Sequence, residues 1–161
     1  GDLKQCAELG LDQEILSRTS EYFSGCSRPA FNSEPGYVGH HGDYGPQNIF
    51  LCAEFTYVID FEGFRTGLPS EDVADFLVLL NLLPFYHADV SLKRRLRNAF
   101  LSGYSKHRLL NMESLGLFEV KSLIKRMAHN PHLKQTSARK SWHRRKSLLK
   151  SYRKYLERLL A

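Results

Sequence analysis

Apolar residues recur at helical spacing in several stretches of the chain. The first stretch predicts a helix that begins after its N-cap, Asp12, and ends at Gly25. The apolar positions at helical spacing there are Leu11, Ile15, Leu16, Thr19 and Phe23. Later stretches predict four more helices: one capped by Ser70, one capped by Ser91, one over about Leu115 to Ala128 and one over Ser141 to Leu160. The inward stripe of the Ser70 helix is Val73, Phe76, Leu77, Leu80 and Leu83.

Two short β-prone runs lie between these helical stretches. Asn48–Cys52 and Phe55–Ile59 flank Ala53-Glu54, and this arrangement predicts a hairpin. The mixture of Pro, Ser, Asn and Gly over Ser27–Gly36 predicts a loop. The fold class is therefore mainly α with a small antiparallel β-hairpin, and 161 residues suit one domain over 1–161.

Composition narrows the classes of protein and partner. An apolar fraction of 42% argues against disorder, and a net charge of +6 favours anionic partners. The three cysteines are odd in number and form no CxxC pair, which favours a reducing compartment, and we expect a cytoplasmic protein. The longest apolar run, Phe76–Phe85, is too short to span a bilayer, so we expect no membrane span.

Basic residues are dense from Lys134 to Arg158. On the last predicted helix they are Arg144, Lys146, Lys150, Arg153, Lys154 and Arg158. A solvated face and an anion-binding surface both remain open. Few aromatic residues interleave with these charges, so nucleic acid is an unlikely partner.

The candidate chemistry lies in His41-Gly42-Asp43-Tyr44-Gly45-Pro46-Gln47-Asn48, followed by Ile59-Asp60-Phe61-Glu62. Phosphoryl transfer needs a carboxylate that orients a hydroxyl and hard oxygen ligands that hold magnesium. Asp43, Asn48 and Asp60 match these needs, because the hairpin returns Asp60 to the loop that carries the other two. Taken singly, each residue is better explained without function: Asp43 and Asn48 as loop residues that bond their own backbone, and Asp60 as a carboxylate at a strand end.

These segments, together with Asp72-Val73-Ala74, resemble the aminoglycoside phosphotransferase and choline kinase-like family, which shares the protein-kinase fold. The resemblance extends over about residues 12–83. It implies a catalytic loop at 41–48, a metal-binding segment at 59–62 and a helical remainder at 70–160.

The same resemblance implies residue roles. Asp43 would be the catalytic base, Asn48 and Asp60 the metal ligands, and His41 and Asp72 supports of the catalytic loop. Asp72 is equally explained as a first-turn carboxylate at a helix N-terminus. Glu62 stands where protein kinases have glycine, and it is a candidate for an additional metal contact. The implied cofactors are Mg²⁺ and ATP, the phosphoryl donor.

The first lobe of this family has no counterpart before His41. No G-x-G-x-x-G is present, and Lys4 is the only lysine there. We therefore expect the C-terminal catalytic lobe alone, with the N-terminal nucleotide lobe absent, little activity in isolation, and an exposed lobe interface at which copies could self-associate.

The residues and the resemblance support two hypotheses for the function. The first is an ATP-dependent phosphotransferase lobe that acts on a small hydroxyl-bearing substrate, and whether this substrate is anionic stays open. The alternative is a catalytically degenerate binding or scaffold module that docks acidic partners through its basic helices.

Overall fold

The structure is a computed structural model that describes residues 1–26, 36–82, 90–134 and 139–161, with the side chains of 139–143 not included. Most of the loop predicted over Ser27–Gly36 lies outside these residues, as do Leu83 and the side chain of Trp142.

Within the described residues the chain is mainly helical. The helices are α1 (Asp2–Glu8), α2 (Gln13–Gly25), α3 (Pro69–Leu82), α4 (Val90–Ser105), α5 (Met112–His129), α6 (Pro131–Lys134) and α7 (Arg139–Leu159). The strands are β1 (Val38–His40), β2 (Ile49–Leu51), β3 (Thr56–Val58) and β4 (Arg65–Gly67), with 3-10 turns at Pro46–Asn48 and Phe61–Gly63. The fold class predicted from the sequence, mainly α with a small antiparallel sheet, is confirmed at this level.

The strands form two separate antiparallel pairs. β2 and β3 pair with Ile49 opposite Val58 and Leu51 opposite Thr56, which is the predicted hairpin. β1 and β4 pair with Val38 opposite Gly67 and His40 opposite Arg65. This second pair was not predicted, because each strand has only three residues and the two are far apart in sequence.

Helix starts differ from the prediction in two places. α2 begins as expected, because the Asp12 side chain accepts a hydrogen bond from the Ile15 amide at 3.0 Å. The predicted caps Ser70 and Ser91 are wrong: α3 already begins at Pro69 and α4 at Val90. Proline suits the first turn of a helix because the amide it lacks would have no helical partner there.

The chain divides into two compact units, Gly1–Ser27 with Val120–Ala161, and Arg28–Glu119. In the second unit, Val73, Ala74 and Leu77 of α3 form a core cluster with Leu115 and Phe118 of α5. The predicted stripe on α3 is thus directed into this core. The single domain expected over 1–161 stays a prediction.

The first unit buries Cys6, Ile15, Leu123, Met127 and Leu156, each no more than 2% exposed. From Arg144 to Arg158 the basic residues of α7 are largely exposed. Arg153 there forms ion pairs of 2.9 Å with Asp12 and with Glu157, so part of the basic face is already engaged.

None of the described helices combines the length and apolar character that crossing a membrane would require.

Candidate functional site

Asp72, in the first turn of α3, holds the loop that follows β1 through two hydrogen bonds. Its Oδ2 accepts a hydrogen bond from the His41 amide at 2.7 Å, and its Oδ1 accepts one from the Gly42 amide at 3.1 Å. Hydrogen bonds to an ionised acceptor are stronger than those between neutral groups. The backbone immediately before Asp43 is therefore fixed to a helix rather than to its own turn.

His41 links this loop to the segment that carries Asp60. Its Nε2 lies 2.7 Å from the carbonyl oxygen of Ile59, and its Nδ1 lies 3.3 Å from the amide nitrogen of Asp43. A carbonyl only accepts and an amide N–H only donates, so both contacts require the neutral ring with its hydrogen on Nε2. The ring is 5% exposed and lies 4.5 Å from the Phe61 ring, centroid to centroid.

Asn48 fixes the other side of Asp43. Its buried side-chain nitrogen donates to the Asp43 carbonyl oxygen at 2.9 Å, and its own carbonyl accepts from the Ile59 amide at 3.0 Å. The first bond occupies the nitrogen of the side-chain amide. The side-chain oxygen of Asn48 is an oxygen donor of the type that magnesium takes.

Asp60 follows directly after the residue bonded to Asn48. Its backbone is left-handed, with φ 66° and ψ 61°, and among the described residues it is the one non-glycine residue with positive φ. Such a conformation costs about 1–3 kcal/mol and persists where the surroundings enforce it. Asp60 and Glu62 are both exposed, and Glu62 lies on the 3-10 turn that follows.

The two segments approach each other at backbone level. A Cβ placed on Gly42, whose φ is +84°, would lie 2.0 Å from the carbonyl oxygen of Gly63. Only glycine at position 42 permits this approach. The sequence lists Gly42 within the motif, but the partner across the gap is not visible from sequence spacing.

Tyr44 is a contact residue of the loop that the sequence did not assign. Its ring lies 5.5 Å from the Phe76 ring and 6.5 Å from the Phe100 ring. Burial raises the pKa of the Tyr44 hydroxyl above its usual value, and the negative charge of Asp72 raises it further. The packed aromatic group ties the loop to α3 and α4. An aromatic residue next to the candidate base was the only signal in the sequence.

Asn48 and Asp60 carry oxygen donors of the type that magnesium takes. Across the described residues, no three His, Cys, Asp or Glu side chains converge as a metal site. Magnesium usually takes only one or two protein carboxylates, with phosphate oxygens and water completing its shell. One carboxylate and one amide oxygen, from Asp60 and Asn48, are compatible with that habit.

The comparisons with known proteins gave one match. The model described as "Phosphotransferase enzyme family" matches residues 11–115, a range that contains the loop, the hairpin and Asp72. No curated protein and no solved structure matched the chain. The family resemblance predicted from the sequence is thereby confirmed.

Proposed function

This chain belongs to the phosphotransferase enzyme family, and we propose that it is the catalytic lobe of an ATP-dependent kinase that phosphorylates a hydroxyl of a small molecule. Family membership implies a kinase-like fold and a role in phosphotransfer. One observation carries the finer proposal: the backbone around Asp43 is held on both sides, by Asp72 before it and by Asn48 at its carbonyl.

Asp43 is the proposed catalytic base. Its carboxylate orients the acceptor hydroxyl and takes up its proton while the hydroxyl oxygen attacks the γ-phosphorus. The new oxygen–phosphorus bond forms as the bond from the γ-phosphorus to the bridging oxygen breaks, and ADP leaves with that electron pair. Catalysis of this kind depends chiefly on position, because misplacing a group by about 1 Å can cost ~10²-fold in rate.

Asn48 and Asp60 are the proposed magnesium ligands, and Glu62 on the adjacent turn is proposed as an additional contact. Bound magnesium would neutralise charge on the β- and γ-phosphates. Asn48 is suited to this task because its side chain is buried and its nitrogen is already anchored to Asp43. The left-handed backbone of Asp60 supports the proposal, since strained residues cluster at functional sites.

The charge of the chain bears on the acceptor. A net charge of +6 attracts anionic molecules and repels polycations such as aminoglycosides. We therefore propose an anionic or neutral hydroxyl compound as acceptor. The lobe assignment rests on the motif order, in which the base precedes the metal ligands and helices follow.

Replacing Asp43 in the full-length protein tests the proposal. Asp43→Asn should lower Mg·ATP-dependent turnover by about 10²–10⁴-fold, the usual contribution of a general base, while nucleotide affinity stays near wild type. Glu54→Gln, which removes an exposed carboxylate at the hairpin turn, is the matched control and should keep full turnover.

The acceptor panel should include anionic, neutral and cationic hydroxyl compounds. Turnover of Asp43→Asn within twofold of wild type would refute the assignment of the base. A wild-type protein that turns over no acceptor, yet binds acidic partners in a salt-sensitive manner, would favour the scaffold alternative.

A further inference from the structure

His40, the residue before the catalytic loop, is buried and its ring is held in a fixed place. It ends β1 and is 1% exposed. A Cβ on Gly67 of the paired strand β4 would lie 2.7 Å from the His40 Cε1 atom. The ring therefore occupies space that only a glycine at position 67 leaves open.

One ring nitrogen of His40 has a partner and the other does not. Nε2 lies 2.5 Å from the Leu68 carbonyl oxygen, and because a carbonyl only accepts, Nε2 carries a hydrogen. Nδ1 is buried and makes no hydrogen bond to any described residue. It lies 3.9 Å from Oδ1 of Asp72.

The charge of the ring decides whether this second contact is favourable. In the neutral ring, a lone pair on Nδ1 faces a carboxylate oxygen, and neither atom has a hydrogen to share. In the protonated ring, an N–H faces the same oxygen, and a charge-assisted hydrogen bond can form. Histidine is the side chain whose charge ordinarily changes between pH 5 and 8.

The Asp72 carboxylate lies 3.9 Å from Nδ1. Arg65, which lies opposite His40 on β4, is paired with Glu71 of α3 at 3.0 Å. His41 follows in the chain, and its ring is engaged with Ile59. A proton on His40 would thus be balanced by Asp72, the residue that holds the loop.

We propose that His40 is a positioning residue: its protonation fixes the Asp72 carboxylate, which then holds the catalytic loop more firmly. Oδ1 of Asp72, which faces His40, also accepts the Gly42 amide, so fixing this carboxylate fixes the loop immediately before Asp43. The effect on catalysis rests on the proposed function, but the coupling between His40 and the loop does not. Protonation of His40 favours the loop conformation in which Asp72 accepts the His41 and Gly42 amides, and deprotonation weakens that interaction.

NMR of this chain between pH 5 and 8 tests the coupling directly. Long-range ¹H–¹⁵N spectra should show the neutral His40 ring with its hydrogen on Nε2. The His41 and Gly42 amide signals should shift with the same midpoint as the His40 ring. Their hydrogen-exchange protection factors should rise about fivefold or more on protonation, the lower end of typical coupling between sites.

His40→Gln isolates Nδ1, because the Gln amide nitrogen can replace Nε2 as donor to Leu68 but has no group that ionises. In this variant the pH response of the two amides attributable to His40 should vanish. His107→Gln, an exposed histidine of the same unit, is the matched control and should leave the response intact. Asp72→Asn should lower the midpoint of His40 and leave that of the exposed His129 unchanged.

A neutral ring with its hydrogen on Nδ1, or a loop response unchanged in His40→Gln, would overturn the proposal. If the variant does not fold, the tautomer and the shared midpoint in the wild type decide. In the full-length protein, wild-type kcat/KM should fall as the pH rises through the midpoint of the His40 ring, and His40→Gln should lack this step. Coupling in the spectra without any turnover would refute the proposed function alone, whereas turnover without coupling would refute only the role of His40.

Discussion

Gly42→Ala should separate the two segments that make up the proposed site. Gly42 has φ +84°, and a Cβ there would lie 2.0 Å from the Gly63 carbonyl oxygen and 2.6 Å from its carbon. A carbon and an oxygen that are not bonded approach to about 3.3 Å, so the segments must move apart by about 1.3 Å. The loop with Asp43 and the segment with Asp60 move with them.

The cost of this substitution has two parts. A left-handed backbone costs an alanine about 1–2 kcal/mol relative to glycine, and overpacking costs about 1–3 kcal/mol. We expect the free energy of unfolding to fall by about 2–5 kcal/mol. A displacement of about 1 Å at the reacting groups should also lower turnover by ~10²-fold.

Chemical denaturation followed by circular dichroism measures the first effect, and Mg·ATP-dependent turnover of the full-length protein measures the second. Gly103→Ala is the matched control, because Gly103 lies in α4 with no atom within 4 Å of an added Cβ. It should gain about 1 kcal/mol from helix propensity. A Gly42→Ala protein as stable and as active as wild type would show that the close approach is not a property of the native state.

Two further predictions concern buried ionisable groups. Glu119 is 1% exposed and forms an ion pair with Arg97. Because Arg97→Met leaves the buried carboxylate without its partner, it should lower the free energy of unfolding by about 3–5 kcal/mol, and adding Glu119→Leu should restore most of the loss. An Arg97→Met protein with unchanged stability would contradict this account. Burial, with a smaller contribution from Asp2, raises the pKa of the Cys6 thiol to about 11. Since the unfolded thiol ionises at a lower pH, this contribution to stability is complete below about pH 8.5 and declines by about 2–3 kcal/mol as the pH rises to 11, and Cys6→Ala should remove this decline. At pH 8 a thiol reagent should label the exposed Cys52 rapidly and Cys6 only on unfolding, and equal labelling rates would refute the burial argument.

Features that depend on neighbours in the chain were predictable from the sequence. The cap at Asp12 joins residues three apart, and the β2–β3 hairpin joins runs separated by two residues. Local interactions of this kind leave a pattern of spacing and turn residues that can be read directly. The segments around Asp43, Asn48, Asp60 and Asp72, in this order, were sufficient to identify the family.

Helix starts were less certain, because several nearby residues can serve as caps. Ser70 and Ser91 have the right chemistry, yet both lie inside helices that begin one residue earlier. Packing of the whole helix selects which of several neighbouring residues begins it, and the local sequence pattern carries no information about that packing.

The contacts that shape the site depend on tertiary structure. Asp72 meets the His41 amide across 31 residues, and His40 meets Leu68 across 28. The left-handed backbone of Asp60 and the approach of Gly42 to Gly63 are likewise set by segments brought together in space. The sequence thus determined which chemical groups this protein carries and in what order. Only the tertiary structure decided which backbone each group holds, because such contacts join distant residues whose spacing follows no period.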